Sequence, residues 1–205
     1  MITVNEFNLA LRIAVSHAVT TPERAAELPH LQNIFLSFDA CDTLRLIGSD
    51  GYRLAVAGLA VAHGQPAGTT ALLSLADADR LIAACSGGEP TTPLTIMPFG
   101  PTILFSAGSA CESYPTAPWP ADTPNWASIL SKMPAVDATA DGLRIDAGYL
   151  AESLEVCKPV LSEDKPTVRL RVADHTALFI LPEVRRSGLT AIAGVTIAIM
   201  YKGGM

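Results

Sequence analysis

Ser49-Asp50-Gly51-Tyr52-Arg53 gathers a hydroxyl, a carboxylate, a phenol and a guanidinium within a few residues. A serine at such a place could be a nucleophile, and an aspartate a general base or a metal ligand. The flanking residues argue otherwise. A nucleophile elbow has the form G-x-S-x-G between a strand and a helix. Here Gly48-Ser49-Asp50-Gly51 lies between two apolar, strand-like runs, Leu44–Ile47 and Arg53–Ala57. Asp-Gly supplies the backbone conformations of a tight hairpin, so a lone Asp50 there reads as turn chemistry. The histidines, His17, His30, His63 and His175, stand in unrelated segments with no Cys, Ser or Asp at a recognisable spacing. They read as structural or surface residues. Cys41, Cys85, Cys111 and Cys157 are scattered without close pairs, which fits free thiols in a reducing cytoplasm better than zinc or a disulfide scaffold. Neither a P-loop nor a dinucleotide-binding glycine pattern is present. The expectation is a protein without catalytic residues, metal or cofactor.

Charge and composition narrow the class further. Fourteen Lys and Arg against 20 Asp and Glu give a net charge of −6, which argues against a uniformly basic nucleic-acid binder and leaves room only for a local strip. Apolar residues make up 49% and charged residues 17%, with a mean hydropathy of +0.33. So few charges predict that some surface is hidden in an oligomer. The 205 residues suit one or two domains. The N-terminus lacks the basic start and apolar run of a signal peptide. The longest mainly apolar stretch, Leu189–Met200, is too short to span a membrane. A cytoplasmic protein with no membrane partner is expected.

The elements that must carry the hairpin recur along the chain. Asn5, Ser74 and Asp146 each precede an amphipathic segment, Glu6–Val19, Leu75–Cys85 and Ala147–Lys158, and these residue types are favoured helix N-caps. The caps are 69 and 72 residues apart. Apolar faces follow: Phe7, Leu11, Ala14 and Ala18; Ala78, Leu81, Ile82 and Cys85; Leu150, Leu154 and Cys157. A short apolar stretch stands before each helix: Ile2–Val4, Ala71–Leu73 and Leu143–Ile145. Strand-like runs come after it: Ile34–Phe38, Leu44–Ile47 and Arg53–Ala57; Leu94–Met97 and Ile103–Phe105; Val168–Val172, Ala177–Leu181 and Ile192–Met200. The spacing predicts an α+β fold of three β-α-β-β-β units, the second least regular. Helices should lie on one face of antiparallel sheets.

Ser49-Asp50-Gly51-Tyr52-Arg53-Leu54-Ala55 resembles the strand-turn-strand signature of the bacterial DNA polymerase III beta subunit, the sliding-clamp family. Leu28–Leu36 resembles that family's first long strand and Leu73–Ser86 its second helix. Tyr114–Met133, with Pro124-Asn125-Trp126 and Ile129-Leu130, is similar to its inter-domain linker. Tyr149-Leu150-Ala151-Glu152-Ser153-Leu154 and Thr196–Met200 are similar to the end of its last domain. Two departures stand out. No counterpart is found for the N-terminal domain or for the first half of the last domain. The closing Met-Pro-Met-Arg-Leu-like tail reads Met200-Tyr201-Lys202-Gly203-Gly204-Met205 here.

The resemblance implies the clamp fold, with a clamp-like domain over 1–115, a Pro/Trp linker over 116–135 and a half-domain over 136–205. It also implies a DNA processivity or tethering factor that binds double-stranded DNA without reading sequence. Partner peptides of a polymerase or of other clamp-binding proteins would lie in a groove formed by Ser49, Gly51, Tyr52, Arg53, Leu54 and Met200. Phosphates would meet Arg12, Arg80 and Lys158 on the helices. A ring of twelve such units implies a homo-oligomer, a dimer or a tetrameric ring. The other reading is a clamp-fold decoy or adaptor that no longer holds DNA.

Overall fold

A computed structural model describes residues 1–40, 42–61, 67–120, 123, 125–134, 145–164, 166–173, 177–184 and 189–200. Strand β1 (Ile2–Thr3) leads directly into helix α1 (Val4–Val15). The cap of α1 is Thr3, two residues before the expected Asn5. Its hydroxyl accepts the Glu6 N–H while the Glu6 carboxylate accepts the Thr3 N–H at 2.9 Å, a reciprocal capping box. That second bond favours Thr3 over Asn5, which lies inside the helix. The expected caps Ser74 and Asp146 are observed, on α3 (Leu75–Gly87) and α5 (Ala147–Cys157).

The strands are β2 (Asn33–Phe38), β3 (Thr43–Ser49), β4 (Arg53–Ala60), β5 (Thr69–Ser74), β6 (Pro93–Phe99), β7 (Thr102–Ala107) and β8 (Ala110–Pro115), then β9 (Val168–Ala173), β10 (Ala177–Pro182) and β11 (Ile192–Met200). They form a four-stranded sheet, β1-β6-β7-β8, and a seven-stranded sheet, β5-β2-β3-β4-β11-β10-β9, with antiparallel pairing throughout. The first two repeats exchange their leading strands: β1 pairs with β6 of the second, and β5 with β2 of the first. The third repeat joins through β4 and β11, from Arg53↔Ile199 to Leu59↔Ile192.

Several expectations need correction. Leu28–Leu36 is not one strand: Pro29–Gln32 is a 3-10 turn and pairing begins at Asn33. Strand β8 was not expected, because only Tyr114 of its residues is buried and no apolar alternation marks it. Two short helices were also missed, α2 (Pro22–Glu27) and α4 (Trp126–Ser131). Pro124, His63, His175, most of the Leu143–Ile145 strand and the tail after Met200 lie outside the described residues.

The large sheet is covered on both faces. On one side Phe7, Leu11, Leu36, Leu44, Leu46, Ile180 and Ile197 make the main core beneath the helices. Helix α1 lies on β3 and β4, with α3 and α5 beside it. On the other side Phe35, Ile47, Leu54, Phe179 and Ala198 form a second core. The alternation of β2 shows the period of two: Ile34, Leu36 and Phe38 point to the helices and Phe35 away. Gly48 sets the approach of α1, since a Cβ there would stand 1.9 Å from the Ala14 carbonyl oxygen.

Candidate partner-peptide groove and helix face

The hairpin closes on itself through its own side chains. The Ser49 hydroxyl donates to the Arg53 carbonyl (2.7 Å) and accepts the Gly51 N–H (3.1 Å). Asp50 Oδ1 accepts the Tyr52 and Arg53 amides at 2.8 and 2.7 Å, while Oδ2 accepts Arg53 Nε at 2.9 Å. Gly51 sits at φ +86°, a conformation that disfavours any other residue. The turn is therefore rigid, and its aspartate is occupied by structure.

Arg53 reaches beyond the turn. It donates to Glu152 of α5 at 2.5 Å and lies over the Tyr149 ring at 4.6 Å. Burial alone would lower its pKa, but the charges and hydrogen bonds of Asp50 and Glu152 outweigh that and raise it, so the guanidinium stays charged. Tyr52 stacks on Tyr149, centroids 6.2 Å apart, and carries the Arg24 guanidinium on its ring at 4.4 Å. Arg24 also donates to the Asp50 carbonyl and pairs with Glu27. Met200 N–H donates to the Tyr52 carbonyl at 2.7 Å, which brings the end of β11 against the hairpin.

The six residues expected to form a groove thus come together, though not all on the surface. Ser49, Arg53 and Leu54 are buried, while Gly51 is exposed and Tyr52 and Met200 are half-buried. Leu54 and Met200 belong to the outer core with Ile129 and Leu130 of α4 and with Met133 just after it. What meets solvent is an apolar and aromatic rim, and Arg53 braces it from beneath.

Behind the hairpin is a contact the sequence did not reveal. His17 is 1% exposed and Ser153 fully buried. His17 Nδ1 faces the Ser16 hydroxyl (2.8 Å) and the Ile13 carbonyl (3.0 Å). The hydroxyl itself donates to Ile13 and the carbonyl can only accept, which assigns the proton to Nδ1 and leaves Nε2 to accept from the Ser153 hydroxyl at 3.2 Å. Burial brings the His17 pKa down to about 4; Arg53 pushes the same way, and the Ile13 bond, Asp50 and Glu152 oppose. The imidazole is neutral at pH 7. With both side chains buried, this Ser–His pair joins the first repeat to α5. Its partners are 136 residues apart, as Arg53 and Glu152 are 99 apart, and no local pattern signals such pairs.

The expected phosphate-facing cations stand differently. Arg12 spans from α1 to α3, donating to Asn8 Oδ1 and to Ser86 Oγ. Arg80 is ion-paired with Asp77 and lies 5.6 Å from the Tyr114 ring. Lys158 pairs with Glu155, both about two-thirds exposed. Arg12 lines a cleft of about 350 Å³ with Leu9, Ser16, Asp79, Ile82 and Val156.

Among the described residues no three His, Cys, Asp or Glu gather as metal ligands. The Cys157 thiol is pushed up to about 12 and that of Cys85 to about 11, chiefly by burial, which keeps both protonated at pH 7. No helix among the described residues is long and apolar enough to cross a membrane.

No protein-family model and no curated protein matches this chain. Solved structures do. A Pseudomonas aeruginosa sliding clamp bound to griselimycin is 13% identical over 100% of this chain and 64% of its own, with a TM-score of 0.59. A Thermotoga maritima DNA polymerase III beta subunit is 16% identical over 97% of this chain and 64% of its own, with a TM-score of 0.64. The beta subunit from the DNA polymerase of Streptococcus pyogenes gives 12%, 100%, 64% and 0.58. This chain therefore spans 64% of the length of these clamps. With two antiparallel sheets, a row of helices and the whole chain aligned, its fold is that of the DNA polymerase III beta sliding clamps.

Proposed function

We propose that the chain is a non-enzymatic, clamp-like tethering factor of DNA replication in the cytoplasm, which holds partner peptides at the hairpin and double-stranded DNA along its helices. The observation that carries this reading is the β4–β11 seam, where Met200 meets Tyr52 and the turn, linker and last strand share one apolar surface. Such a rim suits a short peptide of apolar residues with one hydrogen-bonding side chain. A peptide carrying Gln, Leu and Phe should bind the native chain, and the double variant Tyr52→Ala/Met200→Ala should weaken it by roughly 1–2 kcal/mol in fluorescence polarisation. Unchanged affinity in a folded variant would move the peptide elsewhere.

For DNA, contact would be through phosphates only, independent of sequence and lost steeply with salt. A closed ring requires several copies. The outer edge of β9 carries no strand among the described residues, which is one place for a second copy, as dimer or tetrameric ring. Retention on circular but not linear plasmid tests the ring, and light scattering tests the oligomer.

The second reading, a decoy or adaptor that keeps the peptide groove without holding DNA, is favoured by the Arg80–Asp77 and Lys158–Glu155 pairs and the net charge of −6. Peptide binding by a monomer with no plasmid retention would select it.

A further inference from the structure

We propose that the cleft between Trp119, Trp126 and Leu130 and the outer face of β2–β4 binds a small planar carboxylate, an arylcarboxylic acid by chemical class. The cleft has a volume of about 440 Å³, within the range that holds one small ligand. Ile47 and Val56 form its apolar floor, and Trp119, Trp126 and Leu130 its apolar walls. A flat hydrocarbon body fits such a slot. Ser37, Arg45, Thr123 and Asn125 line it, and each can donate a hydrogen bond, while the Asn125 side-chain carbonyl already accepts the Ser128 N–H at 3.0 Å.

Two of the donors in its wall are unspent. The Trp126 indole N–H and the Thr123 hydroxyl are both buried and have no hydrogen-bond partner among the described residues. Trp126 itself is 5% exposed. The neighbouring Trp119 indole, by contrast, donates to the Ala71 carbonyl at 3.0 Å. A buried donor left unpaired is destabilising, and an acceptor brought beside it would recover that cost. Arg45 is about half exposed and contacts Asp39 at 3.1 Å, which leaves most of its five N–H groups for an anion. Donors around a guanidinium favour a carboxylate, admit a neutral acceptor weakly and reject a cation. This proposal stands whether or not the chain tethers DNA.

Two tryptophans are present in the chain and both line the cleft, so the indole N–H resonances of the ¹⁵N-labelled chain report on it directly. Cinnamate is the probe, with benzyl alcohol and benzamidine as neutral and cationic controls. Cinnamate should shift the Trp126 resonance saturably, benzyl alcohol should bind at least roughly tenfold more weakly, and benzamidine should not bind. Arg45→Gln should weaken cinnamate about tenfold while the Trp119 resonance, which reports the fold, stays in place. The proposal falls if cinnamate up to about 10 mM gives no saturable shift, if the controls bind equally, or if folded Arg45→Gln binds as well as the native chain.

Discussion

The hairpin and the helix face both carry arginines that the clamp resemblance marks for binding, yet the two regions use them in opposite ways. Arg53 is 8% exposed and held by Asp50, Glu152 and the Tyr149 ring. Arg80 and Lys158 pair with carboxylates three residues away and keep most of their own side chains in water, as does Glu155, while Asp77 beneath Arg80 is buried. A charge with several fixed partners, out of water, builds a site; a charge paired in solvent contributes little to the fold and is still able to exchange partners. The hairpin is thus a preformed surface, and the helix face is a solvated one whose capacity for phosphate depends on breaking local pairs.

The strongest way to break the hairpin side is at Gly48. A methyl group there would meet the backbone of α1 at 1.9 Å, and backbone cannot swing aside as a side chain can. Gly48→Ala should cost more than about 3 kcal/mol, since overpacking against a rigid element is the severe case. Urea denaturation of the two chains checks it; a cost near zero would mean that α1 does not rest on β3.

Next is the arginine itself. Arg53→Met keeps the apolar stem and removes the charge, leaving Asp50 mostly buried with fewer donors. The loss should be roughly 3 kcal/mol in the same denaturation experiment. Glu152→Gln, at a carboxylate 67% exposed, should cost less than about 1 kcal/mol. Equal costs would show that α5, rather than the turn, is what Arg53 holds.

His17 gives the same region a pH signature. Its pKa is about 4 in the fold against 6.5 in an open chain, so between those values the unfolded state binds more protons. Stability from this group is present above pH 6.5 and is lost as the pH falls towards 4, by on the order of 3 kcal/mol in all. Arg53, Asp50 and Glu152 are the charged groups that act on it. His17→Gln should flatten that part of the stability profile whatever its own cost, while carboxylates titrating lower remain in both proteins.

How much of this was legible beforehand follows from the range of each interaction. Ser74 and Asp146 were readable as caps because a cap speaks to amides two or three residues on. Thr3 was overlooked because Asn5 is an equally good cap type, and only the Glu6 side chain reaching back decides between them. Strand β8 and helix α4 lack an apolar period, so their identity comes from the neighbours they pair with or cover. The hairpin was readable as a turn, and the resemblance named its partner Met200. The burial of Arg53, the Glu152 contact and the His17–Ser153 bond were not, since each joins residues about a hundred positions apart or more.

The smallest effects on stability belong to the helix face, and they sharpen the comparison most. Neutralising Arg12 or Lys158 to Gln should change stability by no more than about 0.5 kcal/mol, because both are exposed and the Lys158–Glu155 pair is solvated, whereas Arg80→Gln should cost more because its partner Asp77 is buried. Their effect on DNA should be separable. A cation touching one phosphate adds about one unit to the slope of log affinity against log salt. Among the described residues Arg12 is hydrogen-bonded only to the neutral Asn8 and Ser86, so Arg12→Gln should remove most of whatever slope the native chain shows. Lys158→Gln should remove little while Glu155 holds that ammonium, and more once Glu155→Gln has released it. If Lys158→Gln costs as much slope as Arg12→Gln with Glu155 in place, the ion pair opens freely on DNA. The helix face would then be a working lining, and the contrast with the hairpin would be one of rigidity alone.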